Sequence, residues 1–304
     1  MIDYVKIYVK DSAISYLEEN EKLEFVSDLN QRTGEVSQKK EAEYHFCKIT
    51  IYESGSVYFT GSIHKLWNSL NNVKAPNYRK QYDKGFNGNV FALKDVLQVR
   101  EHLADLLCCK PQQMIFHNIE FGVNLLTHFK PREFIKGLLY HKGQEFEFKD
   151  QKNRARLPHQ RYVLKIYNKS YQYGMKENVL RVELQIKKME ELKQMGIRTF
   201  DDINKEALNK AKDLILKRFD EVMYYDSTIE KKTLSRGQKK SLSNYSNPTF
   251  WIEELKPQHR DRHKKKLLKI NEKNSNNLHK QIREEIIKKC VIINQPVKEL
   301  VCNV

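Results

Sequence analysis

Two short stretches of the chain combine the side chains needed to handle a phosphodiester. In Tyr162-Val163-Leu164-Lys165-Ile166-Tyr167-Asn168-Lys169, a period of two puts Leu164 and Ile166 on one face and Lys165, Tyr167 and Lys169 on the other. Leu180-Arg181-Val182-Glu183-Leu184-Gln185 repeats the pattern, with Arg181, Glu183 and Gln185 on its polar side. A phenol at its ordinary pKa of roughly 10 is a weak nucleophile, and cations at 165 and 169 would favour its phenolate. In a third segment, Asn118 to Leu125, Asn118, Glu120 and Asn124 oppose Ile119, Phe121, Val123 and Leu125. The carboxylates Glu120 and Glu183 are oxygen donors of the kind that holds Mg²⁺ or Mn²⁺ against a substrate phosphate. These parts predict in-line attack of Tyr167 on a DNA phosphodiester, leaving a covalent phosphotyrosine and a freed sugar hydroxyl.

The elements that would position these groups follow from the same periodicities. Gly174 and Asn178 let the first two stretches pair as a hairpin with a long loop. Val5, Ile7 and Val9 alternate with Tyr4, Lys6 and Tyr8 as an opening strand, and 19–44 read as a polar loop. Strands at Phe46 to Tyr52 and Ser56 to Thr60 are joined by Glu53-Ser54-Gly55. The second of them runs into Gly61-Ser62-Ile63-His64-Lys65, a corner where His64 and Lys65 suit phosphate contact. Leu93 to Leu107 has helical spacing and stops before Pro111. Pro131 to Tyr140 reads as a short helix, Gln144 to Lys149 as an edge strand, and Lys187 to Gly196 and Thr199 to Tyr225 as helices. Strands with one apolar face require helices on that face. The expected class is therefore α+β, an antiparallel sheet with helices packed on one face.

With 39% hydrophobic and 31% charged residues in 304, the composition suits a polar-surfaced globular protein. No apolar run reaches the roughly 20 residues of a spanning helix. Met1-Ile2-Asp3-Tyr4-Val5-Lys6 lacks the basic start and apolar stretch of a signal peptide, so a cytoplasmic location is expected. Cysteines at 47, 108, 109, 290 and 302 form no Cys-x-x-Cys pair, which argues for a reduced compartment and against a cysteine zinc site. The 55 basic and 39 acidic residues leave a net charge of +16, which favours a polyanionic partner, nucleic acid before membrane. Between Lys231 and Cys290, 17 Lys and Arg face 6 Asp and Glu, a net +11. A domain ending near 230 is thus expected to be followed by a basic, mainly helical segment over 231–304, with Lys264, Lys265 and Lys266 as its densest charge. That segment reads as a duplex-binding accessory or as a solvated tail.

The order of Met1-Ile2-Asp3-Tyr4-Val5-Lys6-Ile7, the 61–65 corner, Ile119 to Asn124, Lys165-Ile166-Tyr167-Asn168-Lys169 and Leu180 to Leu184 resembles rolling-circle replication initiators. The likeness is to the filamentous-phage gene II type and the trans-acting plasmid Rep proteins, related to HUH nickases, over roughly residues 1 to 200. The resemblance implies a Rep-like sheet that nicks and rejoins one strand at a phage or plasmid origin in a bacterial host cell, using a tyrosine and a divalent metal. It further implies single- and double-stranded origin DNA as partners, with a host helicase and polymerase. Tyr167 then matches the family's tyrosine, Glu183 the acidic residue of its Arg-x-Glu strand, and Glu120 the acidic strand that usually reads Arg-x-Asp. Position 118 is Asn instead of Arg, Glu120 stands for Asp, and the family's paired histidines are missing, which leaves His117 or His159 as further ligand candidates.

Lys165 and Lys169 would assist Tyr167, and Asn124, Arg181 and Gln185 would contact DNA. Tyr171 and Tyr173 are alternative nucleophiles, ranked lower because cations do not flank them in the same alternation. A second reading is a non-catalytic DNA- or RNA-binding protein that stacks bases on the aromatic residues of the same sheet. A third is a metal nuclease without a covalent step.

Overall fold

The structure, a computed structural model, describes residues 1–294 apart from 30, 35, 82 and 83. Residues 295–304, including Cys302, lie outside the described residues. Among the described residues twelve strands follow one another: β1 (Ile2–Val9), β2 (Lys39–Tyr44), β3 (Cys47–Tyr52), β4 (Val57–Ser62), β5 (Met114–Leu126), β6 (Leu138–His141), β7 (Gln144–Glu145), β8 (Glu147–Lys149), β9 (Arg154–Pro158), β10 (Tyr162–Asn168), β11 (Val179–Ile186) and β12 (Val222–Tyr224). Nine of them make one antiparallel sheet in the order β2-β3-β4-β1-β5-β11-β10-β9-β8, and β12-β6-β7 form a small second sheet. The fold is α+β, a large antiparallel sheet with packed helices.

Alternation decides which face is buried. Val5, Ile7 and Val9, Phe121, Val123 and Leu125, Leu164 and Ile166, and Leu180, Val182 and Leu184 join one apolar core. Helices Leu93–Leu106, Lys205–Asp220 and Leu278–Ile293 cover it with Val96, Val99 and Leu103, with Leu208, Ala211 and Ile215, and with Ile282, Ile286 and Cys290. The opposite face keeps the polar residues in register. Tyr167 lies beside Arg181 and Arg154, Lys165 beside Glu183 and Arg156, and Glu183 beside Gly122.

Several local expectations change. Part of 19–44 is the edge strand β2, which pairs with β3 from Lys39↔Tyr52 to Tyr44↔Cys47. The helix begun by Pro131 ends at Lys136, and the chain then enters β6. Asp202 caps a 3₁₀ turn at Phe200–Asp202, so the long helix starts only at Lys205, capped by the Asn204 side chain. Lys169 is not on the strand. Asn168 accepts from the Tyr171 backbone N–H and starts the short helix Lys169–Tyr173, which ends at the left-handed Gly174.

The boundary expected at 230 does not separate the last helix from the sheet. Leu278, Ile282, Ile286, Cys290 and Ile293 are buried in the main core, while Leu242, Tyr245, Trp251, Leu267 and Ile270 form a second cluster with Leu139 and Met223. Ile286→Ala should therefore cost about 2–5 kcal/mol in urea unfolding, whereas Leu268→Ala, at a site 49% exposed on Pro257–Asn274, should stay within about 0.5 kcal/mol of wild type. Equal, small effects would show the last helix to be an appendage.

Candidate active site

The polar face is not an open platform. Asp3, Glu120, Arg181 and Glu183 are all buried, and residues 84–91 roof part of this face. The roof is tied from below: Asn124 Nδ2 donates to the carbonyls of Asn87 and Asn89 at 3.1 and 3.3 Å, and Asn68 Nδ2 donates to the Phe86 carbonyl at 2.8 Å. Asn87 is its keystone. Its Nδ2 donates to Asp3 Oδ2 at 2.6 Å, while its Oδ1 accepts from Lys169 Nζ at 2.5 Å and from the Tyr173 hydroxyl at 2.6 Å.

At the centre lies Arg181. Its Nε donates to Glu183 Oε2 at 2.7 Å, its Nη2 to Asp3 Oδ2 at 3.0 Å and its Nη1 to Asn124 Oδ1 at 3.0 Å. Two local features make this reach possible. A Cβ at Gly122 would stand 3.0 Å from Arg181 Nη2 and from the Val182 carbonyl oxygen, so glycine there lets the guanidinium cross β5 without giving way. Between Ile2 and Val5 the register with β5 shifts by one extra residue on β1, a bulge that re-aims Asp3 toward the arginine.

Tyr167 and both carboxylates converge on this centre. The Tyr167 hydroxyl donates to Glu183 Oε2 at 3.0 Å, and Lys165 Nζ lies 2.6 Å from Glu120 Oε1 and 3.0 Å from Glu183 Oε1. The surroundings do not favour the expected phenolate. Tyr167 keeps some surface at the cleft but is densely surrounded, and burial followed by the Glu183 charge holds its pKa well above the usual phenol value. Lys165 is engaged by the carboxylates. The cations over the Tyr167 ring are instead Lys169 Nζ, 5.1 Å from the centroid, and the Arg154 guanidinium, at 6.0 Å. Burial, with the Arg181 charge next, lowers the Lys169 pKa to about 7. The two carboxyls diverge. Against burial, Arg181 and Lys165 hold Glu183 low, while burial and the Glu183 charge push Glu120 up.

Other expected residues have structural duties. His64 is buried, donates from Nε2 to Asn89 Oδ1 at 2.7 Å and stacks on Phe91, so it is not available to DNA. Arg181 and Asn124 hold the network and do not line the cleft. Gln185 Nε2 donates to Asn118 Oδ1 at 3.4 Å. Tyr173 is fully buried and Tyr171 is 58% exposed. His159 pairs with His141 at 2.8 Å, and His141 with Glu221 at 3.0 Å, apart from Glu120 and Glu183. His117 packs against Tyr8 and Tyr58. Lys264, Lys265 and Lys266 stand on Pro257–Asn274, and none lines the cleft.

The cleft left open beside the roof holds about 390 Å³ and is lined by Tyr4, Lys65, Glu120, Arg154, Arg156, Lys165, Tyr167 and Glu183, among others. Arg154 and Arg156 were missed, although Arg154-Ala155-Arg156-Leu157 alternates. Their partners Asp150 and Glu147, at 2.8 and 3.3 Å, are exposed pairs of small net value, so both guanidiniums can turn to a phosphate.

No family model matches the sequence, and no curated protein does. The chain is similar to a solved structure. That structure is described as the rolling circle replication initiator protein from Geobacillus stearothermophilus, with 13% identity, 81% of this chain and 96% of that chain covered, and a TM-score of 0.39. A likeness of that size assigns no residue.

The residues do not fit the expected Mg²⁺ or Mn²⁺ site as arranged. The Lys165 ammonium stands between the two carboxylates, and among the described residues no group of three or more His, Cys, Asp or Glu could hold a metal ion. No helix among them is long and apolar enough to cross a membrane. Lys165 and a divalent cation should therefore compete for one place, so calorimetry should find Mn²⁺ binding at least tenfold tighter in Lys165→Met than in the wild-type chain (about 1.4 kcal/mol). Equal affinity would contradict the competition.

Proposed function

We propose that the chain nicks and rejoins one strand of DNA at a replication origin, through a covalent bond between Tyr167 and the cleaved phosphate. The observation that carries this reading is the 3.0 Å hydrogen bond from the Tyr167 hydroxyl to Glu183 at the floor of a cationic cleft. A nucleophile, a carboxylate to take its proton, and guanidiniums for the phosphate oxygens share one site. Replication initiation is also the role named for the structural neighbour.

The divergent carboxyls supply the two proton transfers. As the Tyr167 oxygen bonds to phosphorus, its proton passes to Glu183; as the bond to the sugar oxygen breaks, that oxygen takes the proton held by Glu120. In the resting site Glu183 is a weak base because Arg181 and Lys165 both stabilise its charge. A bound phosphate draws Lys165 toward its own oxygens, and loss of that cation strengthens Glu183 as a base. Arg154 and Arg156 hold the pentacoordinate charge. Rejoining runs the same steps backward, the ester to tyrosine conserving the energy of the broken bond.

The test is covalent capture. The chain is incubated with single-stranded and supercoiled origin DNA with and without Mn²⁺, and adducts are resolved on a denaturing gel. Tyr167→Phe should abolish the adduct while Tyr171→Phe and Tyr173→Phe retain it. An adduct that survives Tyr167→Phe refutes the assignment, and cleavage with no adduct in any form points to a nuclease without a covalent step.

A further inference from the structure

Outside the cleft, on the same polar face, four aromatic rings gather over β1, β3, β4 and β5. Tyr8 and Tyr58 are cross-strand partners with centroids 5.5 Å apart, and His117 lies 5.8 Å from the first and 5.4 Å from the second. Tyr52, 39% exposed, meets the edge of Tyr58 at 5.8 Å. Lys6 Nζ sits 4.9 Å from the centre of the Tyr58 ring. His117 arrives there because β5 carries one extra residue opposite Lys6 and Ile7, a bulge that re-aims the ring, and it is exposed. Tyr8, Tyr58 and Lys6 are half-buried, so the cluster keeps accessible surface.

Continuity with the cleft gives this cluster a direction. Tyr4 lines the cleft, and Lys6 and Tyr8 follow it on the same face of β1, opposite Ser62, Thr60 and Tyr58 of β4. A chain of alternating ring and cation thus leads from Tyr4 at the cleft to the aromatic cluster over four residues of strand, about 13 Å. The acidic neighbour Glu41 is already paired with Lys39 at 2.6 Å and Lys48 at 2.8 Å, which removes its repulsion toward a phosphate.

We infer that this cluster is a stacking platform for unpaired bases of a single DNA strand that runs from the cleft along β1. Bases offer a π-face to Tyr8, Tyr58 and His117 whatever their identity, and Lys6 meets the backbone between them. The inference rests on the nicking proposal for the strand's direction, but base stacking at the cluster is separately measurable.

Affinity is compared for a thymidine oligomer and an abasic oligomer of the same length, on the full chain, by fluorescence anisotropy. The wild-type chain should prefer the oligomer with bases, and Tyr58→Leu with His117→Ala should reduce that preference by about tenfold or more while leaving abasic binding unchanged. Lys6→Gln should lower both affinities and flatten their salt dependence. Melting curves with unchanged Tm show that the variants fold, and if Tyr58→Leu unfolds the chain, His117→Ala at its exposed site serves alone. An unchanged base preference overturns the platform, as does tighter binding of the matching RNA at the same residues. If base preference is lost in the variants but no Tyr167 adduct forms, the platform stands and the nicking proposal fails. If the adduct forms and base preference is unaltered, the reverse holds.

Discussion

A guanidinium buried between two carboxylates is the constraint around which the candidate site is built. Arg181 is 3% exposed, so its charge has little water to stabilise it and depends on Asp3, Glu183 and Asn124. Removing one partner from such a pair leaves an uncompensated charge and typically costs about 3–5 kcal/mol. That penalty ties together distant parts of the chain. The bulge in β1, the missing side chain at Gly122 and the Asn87 amide in the roof all serve the same side chain.

The network also fixes what Tyr167 can do. Its hydroxyl meets the Glu183 oxygen that Arg181 Nε also approaches, so the position of the phenol is set by the ion pair and not by the strand alone. Preorganised partners of this kind need no rearrangement as charge develops. The cost is a resting phenol that keeps its proton. Lys165, shared between Glu120 and Glu183, is the most accessible part of the arrangement: it is less buried than the groups it bridges, with a quarter of its side chain exposed against 2% for Glu183.

Much of this was legible in the sequence, because a period of two survives wherever one face of a strand is buried. The β10–β11 hairpin and the polar faces of β5, β10 and β11 follow from alternation, whereas the register sets Tyr167 opposite Arg181 and the ion pair brings its hydroxyl to Glu183. What alternation does not carry is the third dimension. Nothing local marks Asp3 as a partner of Arg181, since the bulge that turns it arises from pairing with β5, 178 positions away from the arginine it meets. Nothing local marks 84–91 as a roof, and only its Asn-rich contacts show that it covers the face beneath it. His64 and Arg181 were expected to meet DNA for the same reason: a cation or imidazole on a polar face looks available until something covers it. The last helix was assigned to a separate segment because its charge is conspicuous, while Ile282, Ile286 and Cys290 along one side of it are what the core uses.

The state of one proton is the most direct test of this arrangement. Tyrosines labelled at Cζ report ionisation by carbon NMR, and comparison with Tyr167→Phe identifies the resonance of Tyr167. With the phenol donating to Glu183 in a buried, Arg181-centred network, that resonance should remain in its protonated position past pH 10, where exposed tyrosines have begun to titrate. Ionisation of Tyr167 at or below the ordinary phenol value would mean that the hydroxyl does not face Glu183, and the convergence described for this site would be wrong.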